Sequence, residues 1–127
     1  MIQTIPVANY PDQTFRITLE GVTLSMRVWW SDFDSITAEL VGDDIAGQWY
    51  LDMASTDGTI VINSMALVTG CDMLEPYAFD GLGGLWLVDD EGKARDPGLD
   101  DLGVIHTLHY VPREDRASFN SAVGWTR

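Results

Sequence analysis

The sequence is poor in cysteine and in basic residues. Its single cysteine, Cys71, excludes an internal disulfide, and we expect a buried thiol in a reducing compartment. Seven Lys and Arg residues stand against twenty Asp and Glu residues, so the 127-residue chain has a formal net charge of −13. Because binding to nucleic-acid phosphates requires clusters of basic side chains, this balance argues against stable nucleic-acid binding.

Long apolar runs are also missing from the sequence. None approaches the roughly 20 residues that a membrane-spanning helix requires, so we expect no membrane association. The N-terminal residues 1–6 lack the basic region and the apolar core of a signal peptide. Hydrophobic residues nevertheless make up 46% of the chain, and its length suits one domain with a substantial core.

Apolar and polar residues alternate along much of the chain, which predicts β-strands. Residues 14–19 and 22–30 alternate on either side of the Glu20-Gly21 turn and predict a β-hairpin. Further strands are predicted, with weaker alternation in the first of them, over residues 35–41, 47–53, 59–68, 85–88 and 104–111. The strand over residues 59–68 is apolar on both faces, so we expect it to be a central or sandwiched strand.

These elements predict an all-β, single-domain fold, a small β-sandwich or barrel of roughly seven strands. The β domain is expected over residues 1–112. Residues 113–127 are expected to form a C-terminal tail extension that could include one helical turn.

No arrangement of residues predicts catalysis or metal binding. His106 and His109 are three residues apart on a predicted strand, so they face opposite sides and do not easily share a metal. The acidic stretch 89–101 lacks the ligand spacing of an EF-hand loop, and Gly81–Gly84 lacks the Lys-Ser/Thr ending of a phosphate-binding loop. We therefore expect a protein that is not an enzyme, with no catalytic residue, no cofactor and no metal.

The five tryptophans divide into two groups. Trp30 and Trp49 are in phase with core residues of their strands, which predicts that both are buried. Trp29, Trp86 and Trp125 are predicted as interface anchors, since tryptophan is enriched at protein interfaces. Aromatic residues on β faces also line carbohydrate-binding grooves, and the sequence alone does not decide between the two uses.

A series of short segments, collinear over residues 2–111, resembles the baseplate plug family of contractile-tailed bacteriophages, named from a cyanophage member. The segments are Gln3-Thr4-Ile5-Pro6, Pro11 to Gly21, Trp49 to Met53, Leu67 to Leu74, Pro76-Tyr77, Gly84-Leu85-Trp86, Asp96-Pro97, Leu102-Gly103 and Leu108 with Tyr110. Two regions depart from the family pattern. The segment Asp32 to Ala46 is longer than expected, and the chain after Pro112 is an extension.

The resemblance implies a structural virion protein without catalytic residues or cofactor. It implies a place in the tail baseplate, on the tail axis, where the protein closes the lumen of the distal tube and hub before ejection. The implied partners are the baseplate hub, tube and spike proteins, with the tape-measure protein as a further candidate, and several copies are expected around the axis. The lack of a signal peptide and of disulfides fits assembly in the host cytoplasm.

We further hypothesise that the tail from Arg113 onward anchors on a neighbouring subunit. It carries three of the seven basic residues, Arg113, Arg116 and Arg127, which suit acidic partner surfaces, and Trp125 suits a pocket. A disordered end is the alternative.

Two other functions stay open at this point. One is a carbohydrate- or ligand-binding module for host recognition, in which Trp29 and Trp86 flank an open groove. The other is a ring-forming tube initiator whose exposed strand edges pair between subunits. An acidic DNA mimic is disfavoured because the carboxylates cluster in turns.

Overall fold

Seven β-strands form two antiparallel sheets in the computed structural model, which describes residues 2–32, 47–77, 82–92 and 96–122. For residues 120–122 it describes the backbone only. The strands are β1 (Gln3–Ile5), β2 (Asp12–Leu19), β3 (Val22–Asp32), β4 (Gly47–Ser55), β5 (Val61–Ala66), β6 (Gly84–Asp89) and β7 (His106–Val111). The larger sheet has the order β2-β3-β4-β5, and the smaller sheet has the order β1-β7-β6. The strand predicted over residues 35–41, and most of the long segment 32–46, lie outside the described residues.

One hydrophobic core joins the inner faces of the two sheets. The larger sheet contributes alternate residues of its strands, such as Leu24, Trp49 and Leu51, and the smaller sheet contributes Leu85 and Leu108. The described residues form no closed barrel, so of the two predicted architectures the chain adopts the sandwich of two sheets.

Of the two tryptophans predicted to be buried, Trp49 lies in the core and Trp30 is only half-buried against it. The Trp49 side chain is fully buried and donates its indole N–H to the Gly98 carbonyl oxygen at 2.8 Å. Trp30 is half-buried, and its ring meets that of Trp49 edge-on with centroids 5.6 Å apart. The Trp30 indole N–H donates to the Asp32 carboxylate at 2.7 Å, which satisfies its polar edge at the end of β3.

The predicted hairpin is formed by β2 and β3. Its two-residue turn places Glu20 at φ 51° and Gly21 at φ 81°. Two consecutive positive φ values match the type I′ turn, whose twist suits the flanking strands. Glycine takes the left-handed conformation at little cost, whereas Glu20 holds it against a steric penalty that the two strands offset.

The β4–β5 turn is held by one carboxylate. Asp57 accepts hydrogen bonds from the Ser55 hydroxyl at 2.7 Å, the Thr59 backbone N–H at 3.0 Å and the Thr59 hydroxyl at 2.8 Å. These donors, the Ser55 hydroxyl first, lower the pKa of Asp57 to about 2.

The prediction that the strand within residues 59–68 is central or sandwiched is wrong: among the described residues β5 is an edge strand of the larger sheet, and Val61 on its outer face is 53% exposed. A β-bulge explains the misleading pattern. Ser64 has a φ of 57°, and the register with β4 shifts there. The bulge moves the inward side chains from even positions, such as Ile62, to odd positions, such as Met65. Apolar residues of both parities therefore face one core.

The C-terminal extension contains more helix than the single turn foreseen. A 3-10 turn at Arg113–Asp115 leads directly into a seven-residue helix, α1 (Arg116–Ala122). Within the described residues no helix is long and apolar enough to cross a membrane. Strand β7 starts two residues later than predicted, since Val104 and Ile105 lie in a turn whose N–H groups bond to the Asp101 carbonyl oxygen.

Tyr110 connects the two sheets through a polar contact at the edge of the core. Its ring is 1% exposed, and its hydroxyl donates to the Glu20 carboxylate and accepts the Gly83 N–H at 2.7 Å. The Arg113 backbone N–H donates to the same Glu20 oxygen at 3.0 Å. Burial, together with the bond to Glu20, raises the pKa of Tyr110 well above its ordinary value.

Removing this hydroxyl tests the link between the sheets. We expect Tyr110→Phe to lower the free energy of unfolding by about 1–3 kcal/mol, because the buried Gly83 N–H loses its acceptor. Urea denaturation followed by tryptophan fluorescence measures the change. Tyr10→Phe is the matched control, since Tyr10 is 65% exposed and should leave the midpoint in place. Equal midpoints for Tyr110→Phe and wild type would contradict the role assigned to this hydroxyl.

Candidate interface surfaces

Trp29 is the centre of an aromatic and ionic patch on the outer face of the larger sheet. It pairs directly with Tyr50 across β3 and β4, and their rings stack with centroids 4.8 Å apart. The Arg27 guanidinium lies 5.2 Å from the Trp29 ring centroid. Trp29 remains half-buried without help from a partner, so a preorganised aromatic surface already exists in the isolated chain.

Arg27 ties this patch to the carboxylates beside it. It donates two hydrogen bonds to Asp12, at 2.9 and 2.7 Å, and its other nitrogen lies 3.9 Å from the Asp52 carboxylate. The hydrogen bond from Arg27 lowers the pKa of Asp12 below its ordinary value and raises that of Arg27. Because these groups are exposed, the pair fixes the geometry of the patch more than it stabilises the fold.

Counted over the described residues, the same face carries no net charge, in contrast to the net charge of −13 on the whole chain. Its charged residues are two acids, Asp12 and Asp52, and two bases, Arg16 and Arg27. The last three line an open hollow with a volume of about 380 Å³. This face is where another acidic or neutral protein surface meets least repulsion.

Trp86 lies on the outer face of the smaller sheet, where the chain's own helix covers it. The residue is 5% exposed, and its ring meets the Phe119 ring of α1 edge-on at 5.4 Å between centroids. While α1 is in place, Trp86 offers almost no surface to a partner. The roles of Trp29 and Trp86 as interface anchors stay predictions. The carbohydrate-binding alternative requires these two tryptophans to flank one groove. They do not, because they lie on the outer faces of different sheets.

A buried ion pair holds α1 against the domain. The Arg116 guanidinium donates to the Asp72 carboxylate at 2.6 Å, and the Asp72 side chain is fully buried. The other Asp72 oxygen accepts the N–H groups of Leu74 at 3.1 Å and Leu85 at 3.2 Å. A Cβ at Gly84 would lie 2.8 Å from Asp72, so glycine is required beside it. The role of Asp72 was not predicted from the sequence, where its only signal is membership of the Leu67 to Leu74 segment.

The two predicted tail arginines have different environments. Arg116 is committed to Asp72, and its side chain is 20% exposed. Arg113 is exposed, and among the described residues none bonds to its guanidinium, whereas its backbone N–H donates to Glu20 and its carbonyl oxygen accepts the Arg116 N–H. Trp125 and Arg127 lie outside the described residues. The hypothesis that the tail contacts a neighbouring subunit therefore concerns Arg113 and the end of the chain, not Arg116.

The two histidines lie on opposite faces of β7, as predicted. His106 is fully buried, and its Nε2 atom is 4.0 Å from the Asp89 carboxylate, which is also buried. His109 contacts the hydroxyl of Thr107 at 2.8 Å and that of Thr4 at 3.4 Å. The described ranges contain no group of three or more residues suited to hold a metal ion.

Cys71 is half-buried, whereas the sequence predicted a buried thiol. Burial raises the pKa of Cys71, and the nearby carboxylates of Asp72 and Asp96 raise it further. Since the thiolate is the nucleophilic form, this thiol is less reactive than an exposed one.

Because only Arg116 forms the buried ion pair, we expect its removal to lower the free energy of unfolding far more than removal of Arg113. We expect Arg116→Ala to lower the free energy of unfolding by about 3 kcal/mol, since it leaves the Asp72 carboxylate buried without its cation. Arg113→Ala is the matched control and should change stability by less than about 0.5 kcal/mol, as surface substitutions do. Urea denaturation measures both variants. Similar losses for the two would refute a structural role for the Asp72 contact.

A comparison with known protein families gives a match over most of the chain. The family model described as "Cyanophage baseplate Pam3 plug gp18" matches residues 2–114. The match includes all seven described strands and ends in the 3-10 turn, before α1 begins. Among curated proteins, none matches this chain. The resemblance inferred from the sequence is confirmed.

Proposed function

The chain belongs to the cyanophage baseplate plug family, and from this membership we propose that it closes the lumen of the tail tube and hub. The family supports a structural role in the baseplate of the phage tail. Within that role, the chain sits on the tail axis and blocks the channel until ejection. The match over residues 2–114 is the observation that carries this proposal, since it includes the whole of the two-sheet fold.

The charge of the protein supports a place on the path of the DNA. With a net charge of −13, the chain repels the phosphate backbone, so DNA passes without adhering to it. In the part of the chain that the structure describes, the exposed carboxylates lie mainly in turns, including Asp90, Glu91, Asp100 and Glu114. A plug with basic surfaces would instead retain DNA in the channel.

The protein acts by shape and interface complementarity and not by catalysis. Its proposed partners are the hub, tube and spike proteins, with the tape-measure protein as a further candidate, and several copies surround the tail axis. The outer face of the larger sheet, with balanced charge among its described residues and Trp29 stacked on Tyr50, is the surface that suits such a contact. Assembly takes place in the host cytoplasm, before the virion is released.

A density map of extended tails tests the location. We expect the two-sheet domain to fit density on the tail axis at the distal end of the tube, with no open channel past it. In tails that have ejected their DNA, the channel should be open at this level. Density for the domain only at the outside of the baseplate would overturn the plug proposal and leave the baseplate role intact.

The tail-anchor hypothesis needs a narrower deletion than removal of residues 113–127. That larger deletion also removes Arg116 and exposes the Asp72 carboxylate, so it destabilises the domain itself. Deleting residues 123–127 removes Trp125 and Arg127 and keeps the ion pair. We expect this variant to unfold at the same urea concentration as wild type and to enter tails at least tenfold less often. Unchanged incorporation, measured by mass spectrometry of purified tails, would sink the hypothesis.

A further inference from the structure

The two sheets have four edges, and three of them are blocked against pairing with another chain. Strand β1 is only three residues long. Strand β5 is interrupted by its bulge at Ser64, whose N–H donates to the Asp52 carboxylate at 2.7 Å. Strand β6 is covered by residues 69–73, where the Met73 N–H donates to the Leu85 carbonyl oxygen at 2.8 Å. Short, bulged and covered edges are the usual protections against unwanted strand addition.

Strand β2 is the fourth edge, and it has none of these protections. It is eight residues long, pairs with β3 in unbroken register, and contains no proline or bulge. In the part of the chain that the structure describes, no strand pairs with its other side. An open edge of this length and regularity offers a full row of backbone donors and acceptors to an extended segment.

The register identifies the backbone groups that point outward. The Trp30 N–H donates to the Pro11 carbonyl oxygen at 2.8 Å, so the odd-numbered residues of β2 form the hydrogen-bonded pairs with β3. The two-residue turn agrees, because it closes on the pair Leu19 and Val22. The N–H and C=O groups of Asp12, Thr14, Arg16 and Thr18 therefore point to the open side.

The side chains along this edge specify the segment that would fit. Phe15 and Ile17 face the core but remain half-buried, so apolar side chains on one face of an added strand would complete their burial. On the outer face, Arg16 is exposed, and none of the described side chains pairs with it. A carboxylate placed opposite Arg16 would form a cross-strand ion pair.

A second copy of this chain is a poor occupant, because each copy carries a net charge of −13 and the two would repel. We propose that an extended segment of another baseplate protein adds to β2 as a fifth strand of the larger sheet. This segment is neutral or basic overall, apolar on its core-facing side, and carries one carboxylate facing Arg16. The inference rests on the proposed function, since it takes its partner from the baseplate.

Because only the even-numbered residues of β2 point their N–H groups to the open side, two variants of Thr14 test whether that edge is used. Thr14→Pro removes an outward N–H and leaves the bonds between β2 and β3, because proline is tolerated on an edge when its nitrogen faces solvent. Thr14→Val alters the same side chain but keeps the N–H. In phage carrying each variant, we expect Thr14→Pro to enter tails at least tenfold less often than wild type. Thr14→Val should enter as wild type does.

Arg16 supplies a second, independent pair of variants. Arg16→Glu places a like charge opposite the expected carboxylate, and we expect at least a tenfold loss of incorporation. Arg16→Lys keeps the charge and should retain most of it. These substitutions are at an exposed position, so the result stands even if Thr14→Pro fails to fold.

Hydrogen exchange shows whether the edge is open and then occupied. In the isolated chain, we expect the amides of Thr14, Arg16 and Thr18 to exchange at least a hundredfold faster than those of Gln13, Phe15 and Ile17. In assembled tails, a peptide spanning residues 11–19 should become protected. Protection of the even-numbered amides that grows with concentration in the isolated chain would identify a second copy as occupant and overturn the proposal.

The outcomes separate the two proposals. If the wild-type chain is absent from tails, the proposed function fails. If the wild-type chain is present in tails, and both Thr14→Pro and Arg16→Glu enter tails as well as wild type does, the function stands and the strand-addition inference fails.

Discussion

The buried carboxylate of Asp72 is the constraint on which the C-terminal half of the structure depends. A desolvated charge is costly unless donors and a cation surround it, and here two backbone N–H groups and the Arg116 guanidinium do so. These contacts fix the segment 69–77 along the edge of β6, require glycine at position 84, and hold α1 over Trp86. One side chain thus connects an edge strand, a loop and a helix that are distant in the sequence.

A second polar contact complements it at the junction of the sheets. Glu20 receives the Tyr110 hydroxyl and the Arg113 N–H, so the turn of the first hairpin is joined to the smaller sheet and to the start of the extension. Tyr110 and Arg113, which make these two contacts with Glu20, both lie within the family match, which ends at position 114. The extension therefore begins as part of the folded domain, and α1 is packed on it through Arg116 and Phe119.

The distribution of charge and the open edge of β2 favour contacts at one surface of the molecule, the outer face of the larger sheet. Acidic side chains in turns repel nucleic acid and further acidic surfaces, whereas the outer face of the larger sheet has balanced charge and a stacked aromatic pair. The unprotected edge, β2, borders that same face. A protein that works by fitting among neighbours needs such asymmetry, because repulsion elsewhere restricts association to the intended surface.

Much of the fold was determined by local sequence, and the reasons are physical. Alternation from residue 14 to residue 28 around Glu20-Gly21 favours a hairpin, since any shift of one residue would expose its apolar face. The same parity placed Trp49 in the core and separated His106 from His109. Alternation specifies which face of a strand is buried, but not its neighbours. For that reason the sequence predicted β5 as central and did not reveal its bulge. It likewise predicted Trp86 as an interface anchor, but not whether the chain itself covers the ring. Tertiary structure decided that question, because the burial of Asp72 positions Arg116, and through it α1, over that ring.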